Sequence, residues 1–199
     1  PYLDGYRALF IRSSAAQVNA IKSGQALIEF RGFSPSQRDD IVRTLGQGAS
    51  VQESSWLCNN IIVFNTKRKP FDDARFRRAL TLAIDRWGGS QALGQIAIVG
   101  PVGGALRPGG PFATPQADLE KLAGYGRDIN AARAQARRLM AEAGVSEGFE
   151  FNLLNRSVEM PYRYVGVWLI DQWRQIGLNV NHVVKETGPY LADERAGNF

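Results

Sequence analysis

The side chains able to do covalent or proton-transfer chemistry are few. The chain has one histidine, His182, and one cysteine, Cys58. Nucleophilic catalysis needs a base beside its nucleophile. His182 sits among Val180, Val183 and Val184 in a stretch that reads as a strand, where a structural role is the stronger reading. Cys58 borders an apolar run and reads as a small buried side chain. The adjacent carboxylates Asp39-Asp40 and Asp72-Asp73 diverge on a helix, so they suit capping better than paired acid-base work. A lone cysteine and a lone histidine give neither an intramolecular disulfide nor a cluster with metal-ligand spacing, and no cofactor is expected. The glycines of G-P-V-G-G-A-L-R-P-G-G, residues 100–110, lack the Gly-Lys-Ser/Thr ending of a phosphate loop, and the prolines remove amides such a loop would use. One place differs. Asn155-Arg156 follows directly on a strand-like run, Glu150 to Leu154, and a helix begins shortly afterwards at Met160-Pro161-Tyr162. In α/β sheets ligands collect beyond the carboxyl ends of strands, where side chains and helix amides converge. An arginine there can grip a carboxylate with two parallel hydrogen bonds, with an exposed loop arginine as the equal alternative.

Composition narrows the classes. A net charge of +5, from 24 Lys+Arg against 19 Asp+Glu, is spread without a run of like charges and supports only a general preference for anions. The ten phenylalanines and six tyrosines interleave with helix and strand cores and form no stacking platform, so nucleic acid is not an expected partner. No apolar stretch reaches about 18 residues, and the opening P-Y-L-D-G-Y-R lacks the order of a secretory signal. Any export signal is expected upstream, and both chain ends read as cut.

The elements that position these residues follow from periodicity. Tyr6 to Ile11 and Ala26 to Phe30 alternate like half-buried strands, with helical spacing from Ala16 to Ile21 between them and a cap-like Gly24. Ser34-Pro35 predicts a helix start, ending near Leu45-Gly46. Another strand is expected at Val51 to Ser55, and Ile61-Ile62-Val63-Phe64 reads as a buried strand by length and β-branching. Asp72 is expected to cap a helix whose Ala79, Leu80, Ala83 and Ile84 form an apolar face, ending before Trp87-Gly88-Gly89. Residues 100–115 are glycine- and proline-rich and predict an irregular loop. Asp128 caps a second helix, with Ala132, Ala136, Leu139, Met140 and Ala143 inward and Arg133, Arg137 and Arg138 expected to face water. A strand, a helix from about Tyr162 to Ile176 ended by Gly177, and a strand from Leu178 to Val184 follow. A last helix starts at Thr187 and reaches Gly197. The strands at Ile61, Glu150 and Leu178 are expected in a common sheet.

The segment F-N-T-K-R-K-P-F-D-D-A-R-F-R-R-A-L-T-L-A-I-D-R, residues 64–86, resembles the central signature of the family 5 solute-binding proteins, the oligopeptide, dipeptide and nickel receptors of ABC importers. The likeness continues through residues 1–7, 20–30, 136–145 and 153–180 in the family's order. The resemblance implies an α/β fold, a periplasmic-binding-protein type II-like lobe with a mixed sheet plus part of a second lobe. Residues 1–57 would belong to the first lobe and residues 58–199 to the second, ligand-binding lobe, truncated at its C-terminus. It implies a periplasmic receptor that is not an enzyme, whose partners are a small-molecule or peptide ligand and an ABC permease in the membrane. The incomplete first lobe predicts self-association of the fragment. The spacing from Trp173 back to Arg156 resembles the dipeptide receptor's, where an arginine at this place binds the ligand's terminal carboxylate. Asn155, Tyr162 and Arg163 join the expected ligand-binding set, and Trp56 is a cleft or hinge aromatic. The rival class is an enzyme or regulator that reuses such a lobe.

Overall fold

The structure, a computed structural model, describes residues 2–53, 59–97 and 100–199. Its helices are α1 (Ser14–Lys22), α2 (Pro35–Leu45), α3 (Ala74–Leu82), α4 (Arg86–Ile96), a single turn α5 (Gln116–Leu119), α6 (Ile129–Glu142), α7 (Tyr164–Arg174) and α8 (Thr187–Ala196). The strands β1 (Glu150–Arg156) and β2 (Asn179–Lys185) pair in parallel, with Glu150 opposite Asn179 and Arg156 opposite Lys185.

Local chemistry explains most of the helix starts. Ser34 sets Pro35 at the first helical position of α2, and the Gln37 side chain accepts from the Ser34 amide at 3.1 Å. Asp128 accepts from the Ala131 amide at 2.9 Å and opens α6 as the sequence predicts. At α3 the cap is Asp73, one residue later than expected. Its carboxylate accepts from the Arg75 amide at 2.8 Å and pairs with the Arg75 guanidinium at 2.6 Å. These bonds, the side-chain one foremost, hold the Asp73 carboxyl down to about 2.

The core lies between α3, α6, α7 and the sheet. Phe76, Ala79, Leu80 and Ala83 are wholly buried from α3 and the turn after it, joined by Ala136 and Met140 of α6 and by Leu169, Trp173, Ile176 and Leu178. Phe71, Phe149 and Phe151 pack around them, with ring centroids 5.4 Å apart for Phe71–Phe76, 6.0 Å for Phe76–Phe149 and 5.6 Å for Phe151–Trp173. A helix leaves its last carbonyls without internal partners. Here side chains from elsewhere take them: the Trp173 indole donates to Leu80 O at 3.0 Å and Arg86 to Thr81 O at 3.1 Å. Arg133, expected to face water, is half-buried instead and donates to Ala83 O at 3.3 Å and to Gln172 at 2.8 Å. Gln172 is buried and accepts from the Asp85 amide at 3.1 Å as well. Arg137 and Arg138 are exposed as expected.

Other expectations need correction. Helix α3 does end before Trp87-Gly88-Gly89, at Leu82, but a second helix that the sequence did not announce follows at once, because Asp85 accepts from the Gly88 amide at 2.9 Å and starts α4. Gly89 is required by close approach: a Cβ on it would lie 2.0 Å from the Trp168 ring of α7. The four strands expected before residue 65 form no ladder among the described residues, so the sheet expected to join Ile61, Glu150 and Leu178 has two strands, β1 and β2, rather than three. Residues 61–64 keep the alternation of an extended chain, with Ile62 and Phe64 against the core and Ile61 and Val63 exposed at 79 % and 63 %. Tyr6, Phe10, Leu27 and Phe30 are also solvent-exposed. Residues 54 and 55 of the strand expected at Val51 to Ser55 lie outside the described residues. The Asn65 amide donates to Gly197 O and to Phe199 O, both at 3.0 Å, tying the entry to this layer to the end of α8.

Two substitutions test this packing by urea denaturation. Phe76→Ala should cost about 3–5 kcal/mol, against less than about 0.5 kcal/mol for Arg138→Ala on the exposed face of α6. Gly89→Ala has a diagnostic sign. Helix propensity alone favours alanine by about 1 kcal/mol, whereas the contact with Trp168 makes the variant less stable; a stabilised variant would contradict the close approach.

Candidate functional site

Strand alternation sends Asn155 and Arg156, the last two residues of β1, to opposite faces of the sheet. The sequence reading placed both in a loop after the strand; the ladder instead runs on to Arg156, opposite Lys185. Asn155 faces α7. Its Nδ2 donates to Tyr162 O at 2.8 Å, its Oδ1 accepts from the Arg156 amide at 2.8 Å, and Nδ2 lies 3.1 Å from His182 Nε2. This bonding holds a wide helical turn, Glu159–Arg163, over the strand end, and the Arg163 amide is engaged by Val158 O at 3.2 Å.

Arg156 faces the side of the sheet on which α8 lies. Its guanidinium carbon stands 4.8 Å from the centre of the Tyr162 ring, a cation-π contact, and Nη2 donates to Thr187 Oγ1 at 3.2 Å. Its Nε is buried with no hydrogen-bond partner. Among the described residues no carboxylate lies within ion-pair distance of Arg156; Glu159 accepts from Ser14 Oγ at 3.1 Å, Glu186 lies 3.9 Å from Arg12, and Asp193 pairs with Lys185. Tyr190 completes the surround. Burial, and after it the charge of Glu194, push its phenol pKa up, while the positive charge of Arg156 pulls the other way.

The structure therefore brings together Arg156 and Tyr162, with Asn155 supporting the turn between them. Arg163 is exposed on the same turn, and Trp56 lies outside the described residues. Thr187 and Tyr190 were read from the sequence only as the start of a helix. Their signal was positional: they follow directly on β2, whose end is paired with that of β1. Among the described residues no cluster of His, Cys, Asp or Glu could hold a metal ion, and no helix is long and apolar enough to cross a membrane. A half-buried cation with a buried free donor, resting on an aromatic face, can bind an anion by charge and directed hydrogen bonds.

Comparison with known proteins places the fold. The chain is 27% identical over 190 residues to di/tripeptide-binding protein 3 of Pseudomonas aeruginosa, covering 92% of this chain and 33% of that protein. Among solved structures it resembles the periplasmic binding protein DppA of Helicobacter pylori in complex with the peptide STSA, with a TM-score of 0.68 and 21% identity over 94% of this chain and 34% of that one. It also resembles MoaA of A. tumefaciens R10 in complex with mannopinic acid, with a TM-score of 0.66 and 20% identity over 94% and 35% of the two chains. The chain thus spans about a third of the length of these relatives. The structural likeness shows the fold expected from the sequence, part of a periplasmic-binding-protein type II-like α/β lobe. Residues 1–199 match the bacterial extracellular solute-binding proteins, family 5 Middle, and the chain belongs to that family.

Proposed function

We propose that this chain is part of the periplasmic solute receptor of a bacterial ABC importer, a binding protein without catalytic activity. It captures a peptide or another small carboxylate-bearing solute between two lobes and hands it to a membrane permease. The observation that carries this reading is the guanidinium of Arg156, half-buried on Tyr162, with a free buried Nε and no carboxylate partner among the described residues. A buried cation without a counter-ion is costly unless a ligand supplies one. Support comes from similar proteins described in complex with a peptide and with an acid. In this reading residues 1–57 belong to the first lobe and residues 58–199 to the ligand-binding lobe. Tyr162 supports the arginine, Asn155 fixes Tyr162, and Arg163 adds positive field at the mouth.

The test of the anchor is binding. A carboxylate enclosed between closed lobes loses its water, so Arg156→Ala should cost roughly 2–5 kcal/mol of affinity, on the order of thirty-fold to several-thousand-fold. Arg156→Lys should recover only part, since an ammonium cannot make the two-pronged contact. Arg137→Ala, exposed on α6, should change affinity by less than about 0.5 kcal/mol. Calorimetry on the intact receptor, with its co-purified solute identified by native mass spectrometry, decides; unchanged affinity in Arg156→Ala would remove the assignment.

The isolated chain should also self-associate, because Tyr6, Phe10, Leu27, Ile28 and Phe30 stand exposed at 82–99 % along its first thirty residues. Sedimentation velocity should show a concentration-dependent shift to dimers or larger species. A compact monomer throughout would contradict this.

A further inference from the structure

The geometry gives His182 a task. It lies on β2 opposite Leu153 of β1, on the face that Asn155 shares and α7 covers. The orientation of the Asn155 amide is fixed by backbone groups that have no choice of role. Its Oδ1 meets the Arg156 N–H at 2.8 Å, and its Nδ2 meets the Tyr162 carbonyl at 2.8 Å. Nδ2 therefore brings only hydrogens to His182 Nε2, 3.1 Å away, and that ring nitrogen has to accept. The ring proton belongs on Nδ1. Gly166 of α7 makes the arrangement possible, since a Cβ there would lie 2.1 Å from Asn155 Nδ2 and 2.8 Å from His182 Nε2.

We propose that His182, as the neutral Nδ1–H tautomer, is the positioning residue for the Arg156–Tyr162 pair. It holds the Asn155 amide, which holds the peptide of Tyr162, whose ring carries the guanidinium. The functional weight of this device rests on the reading of Arg156 as the solute anchor. Its existence does not.

The surroundings favour the neutral ring. β1 presents Leu153 and Asn155 to it and α7 presents Gly166, none of them titratable, and the turn before α7 presents the cation Arg163. Burial first, and the positive charge of Arg163 second, lower the His182 pKa below its ordinary 6.5. Between that lowered midpoint and 6.5 the unfolded chain binds a proton that the folded chain does not, so stability rises with pH across this window. Protonation sets an N–H against the Asn155 NH₂ and frees the strap on Tyr162.

Nuclear magnetic resonance on the intact protein, labelled with ¹⁵N histidine and ¹⁵N arginine, tests the proposal. His182 is assigned as the signal missing from His182→Gln, and the Arg156 Nε–H as the signal missing from Arg156→Lys. At pH 7.5 the His182 nitrogens should report the Nδ1–H tautomer, and the ring should titrate below 6.5. The Arg156 Nε–H signal should move with the same midpoint in the wild type. It should stay fixed in His182→Gln, whose Oε1 accepts from Asn155 but cannot be protonated. An Nε2–H tautomer, or an Arg156 signal indifferent to the His182 titration, overturns the proposal. If His182→Gln fails to fold, tautomer and co-titration in the wild type decide, with His182 assigned from its contact with Asn155. Either result is independent of whether Arg156→Ala loses solute affinity, so failure of the anchor and failure of the positioning device are told apart.

Discussion

The rest of the lobe hangs on the way the end of α3 is closed. Its last carbonyls would be unsatisfied inside a packed core, and a buried unpaired carbonyl costs more than an average hydrogen bond returns. Trp173 from α7, Arg86 from α4 and Arg133 from α6 each supply a donor there. Those bonds lock three helices around one point, and the phenylalanine cluster fills the space beneath the sheet that α7 covers. The polar contacts set direction, whereas the buried apolar surface supplies most of the stabilisation.

Much of this was legible because helices close their own hydrogen bonds. The α2, α6 and α8 boundaries follow from Ser34-Pro35, Asp128 and Thr187, and the strand-helix-strand unit from Glu150 to Lys185 is where its periodicity puts it. Strands are different, since half of each is written in its neighbour. Residues 61–64 alternate in burial yet have no ladder partner among the described residues, so length and β-branching alone over-read them. The helix that follows α3, α4, was hidden by Gly88-Gly89, since a glycine pair argues against a helix, but Trp168 needs the missing side chain of Gly89.

The site was half legible. Arg156 was found by its type and its place near a strand end, and its contact with Tyr162 joins two residues picked out from the sequence. What spacing could not show was that Asn155 and Arg156 work on opposite faces, or that Thr187 and Tyr190 close the surround of the guanidinium. Those facts depend on the register of β1 against β2 and on how α8 turns back over their ends. The burial of Arg133 was equally hidden, because an arginine beside other arginines on a helix looks the same in sequence whether it meets water or an orphaned carbonyl.

The alternation along β1 has a consequence for divergence within the family. Phe151 and Leu153 point into the core, while Arg156 points to the other side of the sheet, so the core and the surround of the guanidinium draw on alternate residues of one strand. Thr187 and Tyr190 reach the Arg156 side from a helix that contributes no fully buried side chain. Substitutions at Thr187 or Tyr190 can change the surround of the guanidinium without loosening the phenylalanine cluster, whereas a change at Asn155 or His182, on the core side, reaches it through Tyr162. The groups around the cation can therefore diverge at little cost to the stability of the lobe.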